Sequence, residues 1–395
     1  MRIYGIIAEY NPFHNGHLYQ IEETRRNEAT HIIAVMSGNY VQRGDVAIID
    51  KFQRAELAVK NGVDMVIELP TPYALSTAEF FARGAVSILG SLGCVEGISF
   101  GSECGDIAML EQAAFAVDNI SNSTELKSIL KSGISYPNAM QSLISANFGE
   151  GVAKILSHPN NLLGIEYIRA IHSLNLDFNL LTIQRKSASH GSTVATEDIA
   201  SASYIRNALT KQLPYDNLVP NDVFKVLTEY KKQGKISDIS KIEQAILYRL
   251  RTMSIDEIAH IPDVSQGLEN RIYNAAKTSN SLEQLEFEIK TKRYPLAKIR
   301  RILISALLGI EKDYIKISPP YGRILAINSA GCEILKKVKV TSKIPLGTSL
   351  LKLSQTSVNS KIFSVLETRT TDIYALSTDK IQPCGLEFTT KIQKL

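Results

Sequence analysis

The sequence predicts an α/β protein: a Rossmann-like parallel sheet comes first, then an α-helical part, then a small C-terminal α/β module. Three observations predict it. Short apolar runs alternate with amphipathic stretches through the first two hundred residues, as buried strands with helical crossovers do. Helical spacing takes over from about Val219 to Lys312, and the texture changes again after Ser318-Pro319-Pro320-Tyr321-Gly322. A length of 395 residues accommodates two or three domains, and the divisions read from it are 1–215, 216–318 and 319–395.

Ile3–Glu9 is the first apolar run and ends in the loop Tyr10-Asn11-Pro12-Phe13, with a helix expected from His17 to Arg26. His31–Met36 is the second strand, broken by Ser37-Gly38-Asn39, and Phe52–Asn61 the helix after it. Met65–Leu69 follows as a third strand, Ala74–Leu92 as one long helix, and Gly97–Phe100 as a fourth strand ending at Gly101-Ser102-Glu103. Several helices span Ile107–Ile171, Asn179–Ile183 is a fifth strand, and Ser203–Leu209 starts another helix. Such sheets bind ligands at the carboxyl ends of their strands, near the switch in strand order, so the loop after the first strand is the leading candidate. In the helical part Ile242, Ala245, Ile246, Arg249 and Leu250 recur at helical spacing, as do Ile299, Ile302, Leu303, Ala306 and Leu307. Val338–Val340 and Ile373–Leu376 read as short β-rich runs of the last module.

Composition sets the broad class. Hydrophobic residues make up 44% and charged residues 21%, the balance of an ordinary globular protein. No apolar run is long enough for a membrane span, and the N-terminus lacks a signal-peptide layout, so no membrane partner is expected. Cys94, Cys104, Cys332 and Cys384 are scattered without a CxxC pair, which argues against a disulfide framework or a zinc site and fits a reducing cytoplasm. The net charge of +4 is unevenly spread. Residues 1–200 hold 14 Lys and Arg against 21 Asp and Glu, and residues 201–395 hold 30 against 19. The basic back half is read either as a solubility feature or as the footprint of a polyanion partner. Nothing points to an obligate protein partner.

The strongest chemical signal is Gly5–His17, a strand and a turn followed by His14-Asn15-Gly16-His17 opening a helix. A helix N-terminus presents unpaired N–H groups and positive dipole charge to phosphate. Gly16 permits close approach to the backbone. His14 and His17, the candidate catalytic residues, share one face of the opening turn and can donate to charge building on a phosphate. A metal pair or two ordinary surface histidines are the plainer readings, but HxGH after a first strand with an Asn-Pro-Phe turn is much rarer than HxxH. The second signal is Ile183-Gln184-Arg185-Lys186 with Ile199-Ala200-Ser201-Ala202-Ser203-Tyr204-Ile205-Arg206. It resembles the Ser/Thr-rich segment that HxGH nucleotidyltransferases use to grip the β- and γ-phosphates, with Ser201, Ser203 and Arg206 as phosphate contacts. The plainer reading is a Ser N-cap on an amphipathic helix. The Lys of the common form is absent, and Arg185 or Lys186 is expected to supply its charge.

Weaker signals surround these. Gly101 suits a ribose or adenine lying on the backbone, or a plain turn. Asn160-Asn161 precedes a helix, where one of them reads as an N-cap. The loop Ser37–Gly44 with Lys51 and Arg54 sets cations beside the switch-point cleft; a solvated loop with Asp50 as a helix cap is the alternative.

Together Gly5–His17, Ser37–Gly44, Gly62–Pro70, Asn160–Ile168 and Lys292-Arg293-Tyr294 resemble the bacterial tRNA(Met) cytidine acetate ligase family across essentially the whole chain. The resemblance implies a ligase that converts acetate and ATP to acetyl-adenylate, then acetylates the wobble cytidine of elongator tRNA(Met) to 4-acetylcytidine. It implies ATP contacts from Ile7, Ala8, Glu9, Tyr10, Asn11, Pro12, Phe13, His14, Asn15, Gly16, His17, Leu18, Tyr19 and Gln20, and from Gly101, Asn161, Arg185 and Lys186. Magnesium is expected with ATP, held by phosphates and water because no carboxylate cage is visible. The densest basic cluster, Lys290, Lys292, Arg293, Lys298, Arg300 and Arg301, is the expected tRNA contact, with a solvated basic face as the alternative. Helical spacing would group Arg293, Arg300 and Arg301 and bury Ile299, Ile302 and Leu303. Two other functions stand beside this one: a small-molecule adenylyltransferase of the HxGH type, and a catalytically dead RNA-binding protein, against which the intact histidines argue.

Overall fold

The computed structural model describes residues 1–185, 199–265, 267–392 and 394–395. Its first part runs β1 (Ile3–Ala8), α1 (Asn15–Arg26), β2 (His31–Ser37), α2 (Lys51–Lys60), β3 (Met65–Leu69), α3 (Ala78–Ser91), β4 (Gly97–Ser102), α4 (Pro159–Ser173), β5 (Asn179–Gln184) and α5 (Ala202–Lys211). The five strands are parallel in the order β5-β4-β1-β2-β3, and Ile3 of β1 pairs with His31 of β2. The chain builds outward from β1 to β3, then returns to β4 on the other side. The switch in order therefore lies between β1 and β4, and their carboxyl ends diverge there.

Both faces of this sheet are covered, and side-chain alternation divides the core in two. Ile3, Ile33, Val35, Met65 and Ile67 pack with Phe81, Ala85 and Leu89 of α3. Ile6, Ile32, Ala34, Met36 and Val66 pack with Ala55 and Ala58 of α2 and Ile205 and Leu209 of α5. Burying each large aliphatic side chain contributes about 1.5–3 kcal/mol, so the strand ends that carry the site are held from both sides.

Two expectations for the helices are corrected. The long helix over Ala74–Leu92 is interrupted: a single turn at Thr71–Ala74 ends before α3 starts at Ala78 with Thr77 as its N-cap residue. The break opens a helix terminus toward the switch point. In the helical part, Ile246, Leu250, Ile299, Ile302 and Leu303 share one core as the spacing predicts. Its last helix, α6 (Leu296–Leu308), begins only after Pro295, so Arg293 lies in the preceding loop and not on a helix with Arg300 and Arg301.

From residue 319 onward the chain returns to the first sheet. β6 (Gly322–Ile327), wholly buried, pairs antiparallel with β3 through Met65–Ile327, and Leu346–Gly347 adds a seventh strand. Val338–Val340 belongs to the helix Ser329–Thr341, where Ile334 and Val338 are buried at helical spacing. Ile373–Leu376 straddles the end of α7 (Val358–Tyr374) and one 3-10 turn. Neither run is a strand.

A buried ionic cluster ties these distant pieces together. Lys51 at the start of α2 pairs with Glu68 of β3 and with Glu387, while Arg323 of β6 pairs with the same two carboxylates. Glu367 of α7 accepts hydrogen bonds from the Thr71 N–H and hydroxyl, each at 2.7 Å. Burial and the neighbouring Glu68 charge raise its pKa to about 7. Among the described residues no helix is long and apolar enough to cross a membrane.

Candidate active site

The loop after β1 is shaped by its own backbone. Tyr10 takes a left-handed φ of 46° and the Asn11–Pro12 peptide is cis. Arg54, fully buried, donates to the carbonyls of Glu9 (2.6 Å), Ser37 (3.1 Å), Ile49 (3.1 Å) and Gly38. The Asn11 side-chain oxygen accepts the Ile48 N–H at 2.8 Å. Lys51 and Arg54, expected as cations open to a substrate, are thus interior struts: one neutralises carboxylates and the other satisfies carbonyl oxygens.

α1 begins at Asn15, two residues before the expected start, because His14 serves as its N-cap. The His14 Nδ1 accepts the Gly16 N–H at 3.0 Å, and the His17 Nδ1 accepts the His14 N–H at 3.2 Å. A pair of histidines thereby does the work of a Ser/Glu capping box. A backbone N–H only donates, so each Nδ1 must hold a lone pair, and each ring carries its proton on Nε2. The rings stack with centroids 3.7 Å apart and planes 24° from parallel, and the Tyr10 ring meets His17 edge-on. Burial, then the Arg185 and Arg206 charges, lower the His14 pKa to about 3; burial and the adjacent His14 also push His17 well below its ordinary value. At neutral pH the motif presents two neutral Nε2–H donors. Gly16 is needed for the motif itself, since a Cβ there would stand 2.9 Å from the His14 ring.

These groups open onto a cleft of about 480 Å³ at the carboxyl ends of β1 and β4. Ile7, Ala8, Glu9, Tyr10, Asn11, His14, His17, Gln20, Gly101, Arg185, Ser201, Ser203 and Arg206 line it. Arg206 donates to the Asn11 carbonyl at 2.6 Å and to the Ser203 hydroxyl at 3.3 Å, and Ser201 caps α5 by accepting the Tyr204 N–H. A Cβ at Gly101 would meet only the Arg185 side chain, nearest at its Cγ, 3.4 Å away. That is ordinary contact, so the chain's own packing does not demand glycine there.

Other residues expected at the ATP site do not line this cleft. Pro12, Phe13, Asn15, Gly16, Leu18 and Tyr19 are not among the cleft's walls: Phe13 is buried in the core, and Asn15 donates to the Asn217 carbonyl at 2.8 Å. Asn161 is 1% exposed, and its side chain accepts the Glu103 and Cys104 N–H groups while donating to Ile155; Asn160 takes the place on the wall. Lys186 lies outside the described residues. Of the basic cluster, Arg300 pairs with Glu286 at 2.6 Å and Arg301 with Asp263 at 2.9 Å. Arg301 also lines the cleft and donates to the Gln42 carbonyl. Gly44, with φ 73°, lets the Ser37–Gly44 loop press on α6, since a Cβ there would lie 2.4 Å from the Arg301 nitrogen. Lys290, Lys292 and Arg293 are exposed, and Lys298 lies over the Tyr294 ring. The reading of the sequence missed the apolar wall of Phe81, Phe100, Leu163 and Tyr167, and the helix terminus at Thr77. Thr77, a favoured cap residue inside the assumed long helix, was the available signal.

Two neutral imidazole donors at a helix N-terminus and two arginines around a switch-point cleft are the features of a nucleotidyl transferase site. The family model described as HIGH Nucleotidyl Transferase matches residues 1–386. The tRNA(Met) cytidine acetate ligase of Alkaliphilus metalliredigens is 40% identical, over 95% of this chain and 94% of its own. That of Thermoanaerobacter sp. (strain X514) is 40% identical over the full length of both. The crystal structure of apo Thermotoga maritima TmcAL superposes with a TM-score of 0.92 at 31% identity, covering 98% of each chain; that of the same protein with alpha-thio ATP gives 0.89 over the same coverage. The chain belongs to the HIGH nucleotidyl transferases and, within them, to the tRNA(Met) cytidine acetate ligase family.

Proposed function

We propose that the chain joins acetate to ATP, releasing pyrophosphate, and passes the acetyl group to the exocyclic amine of the wobble cytidine in elongator tRNA(Met), giving 4-acetylcytidine in the cytoplasm. The observation that carries this reading is the pair of Nε2–H donors fixed at the N-terminus of α1. Acetate is already a nucleophile, so its attack on the α-phosphate needs positioning and charge stabilisation more than a base. His14 and His17 stabilise the α-phosphate, with the positive dipole end of α1 behind them. Arg185, Arg206, Ser201 and Ser203 receive the departing pyrophosphate. The apolar wall of Phe81, Phe100 and Tyr167 excludes water from the mixed anhydride.

Magnesium that accompanies ATP finds no protein cage. Among the described residues no three His, Cys, Asp or Glu side chains are grouped to hold a metal, and Glu9 is the one carboxylate on the cleft wall. The residues do not fit a protein-held ion; phosphate oxygens and water would supply its coordination. For tRNA, the exposed loop cations Lys290, Lys292 and Arg293 lead into α6, whose Ala297 and Arg301 reach the cleft. That continuity supports a path from the basic 216–318 part to the 1–215 ATP site, with Lys298 beside it.

Purified protein with ATP, labelled acetate and total tRNA, followed by nucleoside mass spectrometry, tests the reading. Label is expected in acetylated cytidine. Pyrophosphate exchange driven by an amino acid in preference to acetate, or tRNA left unlabelled, would overturn it.

A further inference from the structure

The two half-reactions ask different things of the same cleft. Acetate attacks phosphorus as an anion and loses no proton. The cytidine amine attacks a carbonyl carbon as a neutral N–H nucleophile, and its nitrogen must shed a proton as the new bond forms. The first step calls only for positive charge and hydrogen-bond donors; the second calls for an acceptor.

Every ionisable wall group suits the first step except Glu9. It is the only carboxylate among the described lining residues, in a cleft otherwise furnished with His14, His17, Arg43, Arg185, Arg206 and Arg301. An anion beside bound phosphates opposes nucleotide binding, so its presence calls for a reason. Its position is also firmly built. Arg54 grips its carbonyl at 2.6 Å, and the Gln42 N–H donates to its Oε1 at 2.8 Å. Glu9 shares the cleft lining with Arg206 and Tyr167, where its charge supports the Arg206 guanidinium and opposes ionisation of Tyr167. The loop that supplies the Gln42 N–H rests on α6, the element continuous with the exposed basic loop.

We propose that Glu9 is the general base of acetyl transfer. This rests on the function proposed above. The amine nitrogen of the cytidine forms a bond to the acetyl carbon, the bond from that carbon to the phosphate oxygen breaks, and AMP leaves with the electron pair. One amine proton passes to the Glu9 carboxylate and from there to solvent. The second remains on the amide product.

Glu9→Gln separates this role from a structural one. The amide oxygen can still accept the Gln42 N–H, but the side chain can no longer take up a proton. Acetate-dependent ATP–pyrophosphate exchange and single-turnover acetyl transfer to tRNA(Met) are measured on the wild-type chain and the variant. A positioned base contributes roughly a hundredfold to ten-thousandfold, so transfer should fall by that factor and by at least tenfold more than exchange. Equal losses in both steps, or no loss in transfer, overturn the role while leaving the proposed function standing. A wild-type chain without acetate-dependent exchange overturns the function and this role with it.

Discussion

Two charged clusters flank the loop after β2, and they differ in how their charge is balanced. Under the loop, Lys51 and Arg323 are answered by Glu68 and Glu387 within the chain. In the cleft, Arg185 and Arg206 are half-buried and have no carboxylate within ion-pair distance among the described residues; burial lowers the pKa of both, opposed only at longer range by Glu103 for Arg185 and by Asp45 and Glu9 for Arg206. Compensated charge holds a fold together. Charge that carboxylates balance only at longer range is a standing cost that an anionic ligand in the cleft reduces.

The comparison can be broken first at its structural end. Lys51→Met leaves Glu68 and Glu387 buried with only Arg323 between them. Breaking such a pair costs about 3–5 kcal/mol, to be read from denaturant unfolding; a loss below about 1 kcal/mol would mean that the cluster is not a strut. The next largest effect is in the cleft. His14→Asn keeps a good N-cap but removes the Nε2–H donor, so stability should hold while acetate-dependent exchange falls about a hundredfold to a thousandfold. In the wild type, exchange should show no inflection near pH 6.5, because His14 stays neutral down to about 3. The linked effect is on stability. The unfolded imidazole gains its proton near pH 6.5 and the folded one does not until about 3, so the His14 contribution is intact above 6.5 and erodes as the pH falls between those values.

The exposed loop supplies a third case, cations with no carboxylate in ion-pair distance among the described residues and no place on the cleft wall, Arg293 lying over the Tyr294 ring. Changing Lys290, Lys292 and Arg293 together to Glu should weaken tRNA binding more than tenfold and flatten its salt dependence. Unaltered binding would mark the loop as a solvated surface. The smallest effect has the opposite sign to the first. Arg185→Met removes a half-buried cation that Glu103 balances only at longer range, and should raise stability by about 1 kcal/mol while weakening ATP binding. A destabilised variant would show that Arg185 is a strut as well.

How much of this was legible in the sequence depends on how local each signal is. The five parallel strands and α2 and α5 are written in runs of a few residues, and their ends fell close to expectation; α4 instead starts at Pro159 with His158 at its cap, so Asn160 and Asn161, one of them expected as the N-cap, both lie inside it. β6 is equally apolar, but its partner β3 lies some 250 positions away in the chain, and no local pattern names a partner. The HxGH motif was recognisable, yet its start was misplaced because histidine is not a usual capping residue. Lys51 and Arg54 were assigned to the cleft since a cation under a loop reads the same as one facing out of it. A signal was present: Glu68 stands inside the apolar strand Met65–Leu69, and a carboxylate there needs a buried cation. Asn161 traded places with Asn160 because one residue's difference on a helix turns a side chain from the wall into the core.

The hydrogen bonds at the start of α1 also bear on what else the motif could capture. Two histidines three residues apart on a helical turn are a familiar trap for zinc, nickel or copper, and a cell contains all three. Coordination needs an imidazole nitrogen with a free lone pair. Here each Nδ1 lone pair is already committed to a main-chain N–H, and each Nε2 carries the ring proton. A transition metal would have to strip a proton or uncap the helix before it could bind. The capping geometry therefore serves as chemical insulation, reserving the imidazole pair for phosphate in the presence of metal ions that bind histidine avidly.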